Sequence, residues 1–152
     1  MPANDYAFRT VWHLPAPAEA IFDVLAEVEA LPRWWPSVYL RVTPVAGRED
    51  AYDLHTTGWL PYTLRWRLVA TGRERPRRLA IAASGDFEGE GVWTLVPDGA
   101  GTEVRFDWRI RAEKPLLRRL SWLLKPVFSA NHRWAMARGE ESLRRELARR
   151  GG

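Results

Sequence analysis

The chain has 152 residues, 46% of them hydrophobic and 28% charged, which suits one domain able to bury roughly 70% of its unfolded surface without a staple. It has no cysteine, and this excludes a disulfide framework, a thiolate zinc or iron–sulfur site and a thiol nucleophile. The formal charge is +4, and residues 114–152 carry ten basic against three acidic side chains, a basic tail that suits a solvated face, nucleic acid or an anionic membrane.

In chain order, residues 6–14 alternate, with Phe8, Thr10, Trp12 and Leu14 on one side and Arg9 and His13 on the other. This predicts a half-buried strand. Pro15 and Pro17 end it, and Ile21, Val24, Leu25 and Val28 then follow helical spacing over 18–28. A second short helical turn fits 30–34, followed by Trp34-Trp35-Pro36. Strands are predicted at 37–46, 51–58, 62–72, 77–85, 86–97 and 102–112, separated by turn signals at Gly47, Gly58, Gly72, Gly85 and Asp98-Gly99-Ala100-Gly101. The last strand alternates cleanly: Val104, Phe106, Trp108 and Ile110 against Glu103, Arg105, Asp107, Arg109 and Arg111. Tyr62, Leu64, Trp66 and Leu68 behave alike. Residues 115–150 read as a helix that Pro126 kinks or divides. One face of it collects Phe128, His132, Ala135, Met136, Gly139 and Leu143. Gly139 inside a helix points to a close backbone approach.

The pattern is an α+β domain spanning 1–152. A seven-stranded curved antiparallel sheet with one dry face wraps around a long C-terminal helix, and two short helices lie between strands 1 and 2. No leader segment or membrane-length apolar run is visible, so a cytoplasmic location is expected.

This element order resembles the helix-grip fold of the START/SRPBCC superfamily. The strings Pro15-Ala16-Pro17-Ala18-Glu19-Ala20-Ile21-Phe22-Asp23-Val24-Leu25, Leu31-Pro32-Arg33-Trp34-Trp35-Pro36, Gly85 to Leu95, Gly101-Thr102-Glu103-Val104 and Asn131 to Met136 resemble its bacterial polyketide cyclase/dehydrase-like members. The resemblance covers nearly the whole chain. It implies a cavity between sheet and long helix that takes a hydrophobic small molecule. The same scaffold hosts binding, transport and catalysis, so it does not choose among them.

His132 is the most pointed candidate, because its helical face looks into the sheet, where an imidazole can hydrogen-bond a ligand or move a proton. Tyr62, Trp66, Trp93 and Trp108 fall on dry strand faces, and Trp34 and Trp35 sit where the short helices meet the sheet. With Phe128 and Met136 they form a candidate aromatic wall for a planar guest, or they fill the space themselves. Asp86, Glu88 and Glu90 recur every second residue and are expected outside. Gly89 and Gly91 are expected to relieve crowding where the sheet bends. The histidines at 13, 55 and 132 have no metal-ligand spacing, no nucleophile elbow is present, and no cofactor is called for. The Arg residues come with no nucleic-acid motif.

Three functions remain open, with nucleic-acid binding a less favoured fourth. The first is binding of a hydrophobic, aromatic or polyketide-like molecule. The second is a cyclase or dehydratase with His132 as proton shuttle and Tyr62 or another polar group polarising a carbonyl. The third is a lipid carrier that touches membranes through the apolar and basic segment 116–125. Oligomeric state is left undetermined.

Overall fold

The computed structural model describes residues 5–58 and 63–151, apart from the side chains of residues 116–118, 121 and 124. Strand β1 (Asp5–Leu14) leads into helix α1 (Ala18–Ala26), a 3-10 turn (Val28–Ala30) and the short helix α2 (Leu31–Trp34). Six strands follow: β2 (Tyr39–Pro44), β3 (Ala51–Thr57), β4 (Thr63–Glu74), β5 (Arg78–Gly85), β6 (Phe87–Asp98) and β7 (Gly101–Ala112). Helix α3 (Pro115–Gly151) ends the chain. All strands pair antiparallel in one seven-stranded sheet, in the order β1-β7-β6-β5-β4-β3-β2. This is the helix-grip α+β architecture.

Alternation decides which face of the sheet is dry. In β1, Tyr6, Trp12 and Leu14 are buried, whereas Ala7, Arg9, Val11 and His13 are exposed. In β7, Thr102, Val104, Phe106 and Trp108 are buried, and Arg105, Arg109 and Arg111 are exposed. The apolar stripe of α1 (Ile21, Val24, Leu25) is almost completely buried against this dry face. On α3, Met136 and Leu143 are buried.

Pro126 lies inside α3, which is not divided there. The elements depart from the sequence expectation in three places. The expected helix over 18–28 gives way at Ala26 to the 3-10 turn. The strand expected from residue 37 starts at Tyr39, because the amides of Val38 and Tyr39 are still donating to the Trp35 carbonyl. Gly72 ends no strand: β4 continues to Glu74 through an irregularity in its pairing with β5 between Ala70 and Gly72.

The acidic run is also split. Glu88 and Glu90 are exposed on β6. Asp86 lies in the bend before β6 and ties the corner instead. Its carboxylate accepts from the Arg65 amide at 2.8 Å, and its carbonyl accepts from the amides of Glu113 and Lys114.

Two glycines serve close packing. A Cβ on Gly91 would lie 2.6 Å from the Trp108 ring and 2.9 Å from that of Phe106, and one on Gly139 would lie 2.6 Å from Cε2 of Trp35. The Trp35 indole therefore sits flush on the backbone of α3, which is the close approach the sequence pointed to.

Candidate functional site

Aromatic rings run in a chain across the concave face. Trp12 meets Trp93 at 5.3 Å between centroids, Trp93 stacks on Phe106 at 4.1 Å, and Phe106 stacks on Trp108 at 5.4 Å. Trp108 then meets Trp66 at 5.9 Å, and Trp66 meets Phe87 at 4.9 Å. Such offset and tilted pairs add to the stability of the burial itself. The chain is held by alternation, since each ring comes from an inward position of β1, β4, β6 or β7.

Between this aromatic floor, the α1–α2 region and α3 lies a cavity of about 200 Å³. Trp35, Trp66, Trp93, Trp108, Phe128, His132 and Met136 all line it. Trp34 does not join them. It lines a separate surface groove with Arg33, Arg138 and Arg145. Tyr62 lies outside the described residues. The tryptophans both fill and line: Trp12, only 2% exposed, packs against Trp93 and Trp35 without lining the cavity, whereas Trp35, Trp66, Trp93 and Trp108 form part of its wall.

A few polar groups interrupt the wall. His132 stacks on Phe8 at 4.0 Å between centroids with the rings 17° apart. Its Nε2 is buried and has no hydrogen-bond partner among the described residues. Burial, with a smaller push from nearby Arg133, lowers its pKa to about 4, so the imidazole is neutral at pH 7. Thr56 Oγ1 accepts from Trp66 Nε1 at 3.2 Å, which fixes that indole. Burial raises the Tyr39 phenol above its ordinary pKa, so it stays a donor at neutral pH. Tyr39 and Arg73 both line the cavity, and the sequence singled out neither. Tyr39 sits at the start of β2, where the shared Trp35 carbonyl sets its position. Arg73 follows Gly72, a glycine inside a strand, which is a signal of a bulge as well as of a turn.

The other two histidines are elsewhere. His13 is exposed, 3.8 Å from the Asp98 carboxylate. His55 is paired between Arg41 and Arg65 across neighbouring strands, on the face away from Leu54.

The family model described as "Polyketide cyclase / dehydrase and lipid transport" matches residues 7–148. The chain belongs to this family. Solved structures of low identity share its fold. A conserved protein from Geobacillus kaustophilus superposes with a TM-score of 0.77 at 14% identity, covering 95% of this chain and 96% of that one. The protein TTHA0849 from Thermus thermophilus gives 0.72 at 22% identity, covering 91% and 97%. The Zhui aromatase/cyclase from a Streptomyces species gives 0.71 at 15% identity, covering 97% and 96%. Among curated proteins no sequence match is found. For this polyketide cyclase/dehydrase family member the structural likenesses speak to fold alone.

Proposed function

We propose that the protein binds a small planar hydrophobic molecule in the cavity, with His132 Nε2 as the polar contact. One observation carries this reading: a cavity walled by Trp35, Trp66, Trp93 and Trp108 is also lined by His132, whose buried Nε2 has no partner among the described residues. A buried polar atom left unpaired costs about 1–3 kcal/mol, and a ligand that pairs it recovers part of that cost. The size of the guest is bounded. A cavity of ~150 Å³ holds benzene, so 200 Å³ suits a molecule of roughly one or two rings.

The family description, cyclase / dehydrase, extends this reading to ring closure or loss of water. That chemistry would ask His132 to accept a proton. With its pKa near 4 it is a weak base at neutral pH, so binding is the better-supported reading.

Thermal unfolding tests it. Naphthalene and 2-naphthol at about 100 times Kd should each raise Tm by roughly 5–10 °C through mass action. His132→Leu should leave naphthalene binding intact and weaken 2-naphthol about three- to tenfold. No shift with any aromatic compound would overturn the reading.

A second reading, membrane contact by a lipid carrier, is favoured by the first half of α3. Trp122 is 71% exposed and Leu123 59% exposed on that helix, near the basic Arg119 and Lys125. No helix among the described residues is long and apolar enough to cross a membrane, so the contact would be peripheral. Vesicles containing phosphatidylserine should then retain the wild type at low salt and lose the Trp122→Ala/Leu123→Ala variant. Equal retention of both, or none of either, would exclude it.

A further inference from the structure

Strand β4 changes the parity of its side chains part-way along. Leu64, Trp66, Leu68 and Ala70 line the cavity from even positions. Between Ala70 and Gly72 the pairing with β5 slips: Ala70 is opposite Ile81 and Gly72 is opposite Ala80, so Thr71 is an extra residue. A bulge of this kind turns every later side chain to the other face.

Beyond it, odd positions point inward. Arg73 is paired with Leu79, which is 4% exposed and itself lines the cavity. Arg75, two residues on, reaches Asp23 of α1 with Nε at 2.8 Å and Nη2 at 3.0 Å, which independently places odd residues on the helix side. Without the extra residue, Arg73 would share the outer face with Arg65 and Arg67.

The redirected guanidinium is uncommitted. Arg67 and Arg75 each close on an aspartate. Arg73 has no hydrogen-bond or ion-pair partner among the described residues, and it lines the cavity while remaining exposed to water. No aspartate, glutamate or lysine is among the described residues that line the cavity. Its wall therefore carries aromatic rings, neutral polar groups and one full positive charge.

We propose that Arg73, re-aimed by the Ala70–Gly72 bulge, anchors an anionic group at the cavity mouth, so that the preferred ligand is a one- or two-ring aromatic carboxylate rather than a neutral or cationic aromatic. The planar guanidinium offers a fork of donors that matches a carboxylate, and the apolar floor accepts the ring. A cationic ring would meet repulsion at Arg73 and find no carboxylate in the described wall. This proposal rests on the cavity reading above.

Isothermal titration calorimetry with 2-naphthoate and its neutral near-isostere 2-naphthamide separates the two ideas. Wild type should bind 2-naphthoate about three- to tenfold tighter than 2-naphthamide, the modest factor reflecting solvent at the mouth. Arg73→Gln should erase the preference without weakening the amide, and Arg73→Lys should keep part of it. Arg65→Gln, on the outer face of the same strand, should leave both affinities unchanged. Far-UV circular dichroism checks that each variant is folded. Equal affinity of wild type for both compounds, or an unchanged preference in folded Arg73→Gln, would overturn the role of Arg73 while leaving the cavity reading in place. Binding of neither compound would overturn both.

Discussion

His132 illustrates how one residue couples site and stability. In the unfolded chain an imidazole titrates near 6.5, and in the folded protein burial holds it near 4. Between those values the unfolded state binds a proton that the folded state does not. Stability is therefore full above about pH 6.5 and falls as the pH drops toward 4. The gap corresponds to roughly 3 kcal/mol at most. Urea unfolding at pH 7.5 and pH 4.5 should show this loss in the wild type. His132→Phe, which keeps a ring stacked on Phe8, should lose about that much less stability over the same interval. An identical loss in both proteins would contradict the burial of a neutral imidazole. The position of His132 was legible in the sequence because helical spacing alone placed it beside Phe128 and Met136. Arg73 was not legible: strict alternation from Leu64 puts it on the outer face, and only the extra Thr71 in the ladder reverses that.

At the scale of elements, the last turns of α3 are fastened by charge as well as by the apolar burial of Leu143 and Leu147. Glu146 is 3% exposed in its side chain and accepts from Arg33 of α2 at 3.0 and 2.7 Å, from Arg149 at 3.1 and 2.9 Å and from Arg150 at 2.7 Å. Arg150 also reaches Glu27, just after α1, at 3.0 Å. The Arg33 hydrogen bonds, with those of Arg149 and Arg150, hold the Glu146 carboxyl far below the usual carboxylate range. It therefore stabilises the fold from neutral pH down through about 4.5 and loses that contribution only as strong acid protonates it. Glu146→Gln leaves three guanidiniums facing one another. Because these arginines are between a third and two thirds exposed, water screens part of the repulsion, and the expected cost is about 1–2 kcal/mol. A double-mutant cycle with Arg33→Gln should give a coupling of about 1 kcal/mol, whereas strictly additive effects would show that the pair does not interact. The sequence marks this tail only as basic. The bond from Arg33 to Glu146 spans the chain and leaves no local signature. At Pro126 the local rule allows a kink or a break, and one helix running on to Gly151 excludes the break.

At the scale of the whole molecule, the architecture was largely legible because its signals are periodic. Seven strand segments, several of them cleanly alternating, and one long amphipathic helix leave few ways to bury one dry face. The volume of the cavity was not legible, since it depends on how closely indoles pack, and that is set by Gly91 and Gly139 on other elements. The 200 Å³ cavity beside His132 is the proposed binding site for a small aromatic molecule. Quenching of tryptophan fluorescence by 2-naphthol tests it most directly when wild type is compared with Ala135→Phe, whose added ring fills the cavity from α3 and whose folding circular dichroism checks. Saturable quenching in the wild type and its loss in folded Ala135→Phe is the predicted result. Equal saturable quenching in both proteins, or none in the wild type, would contradict it.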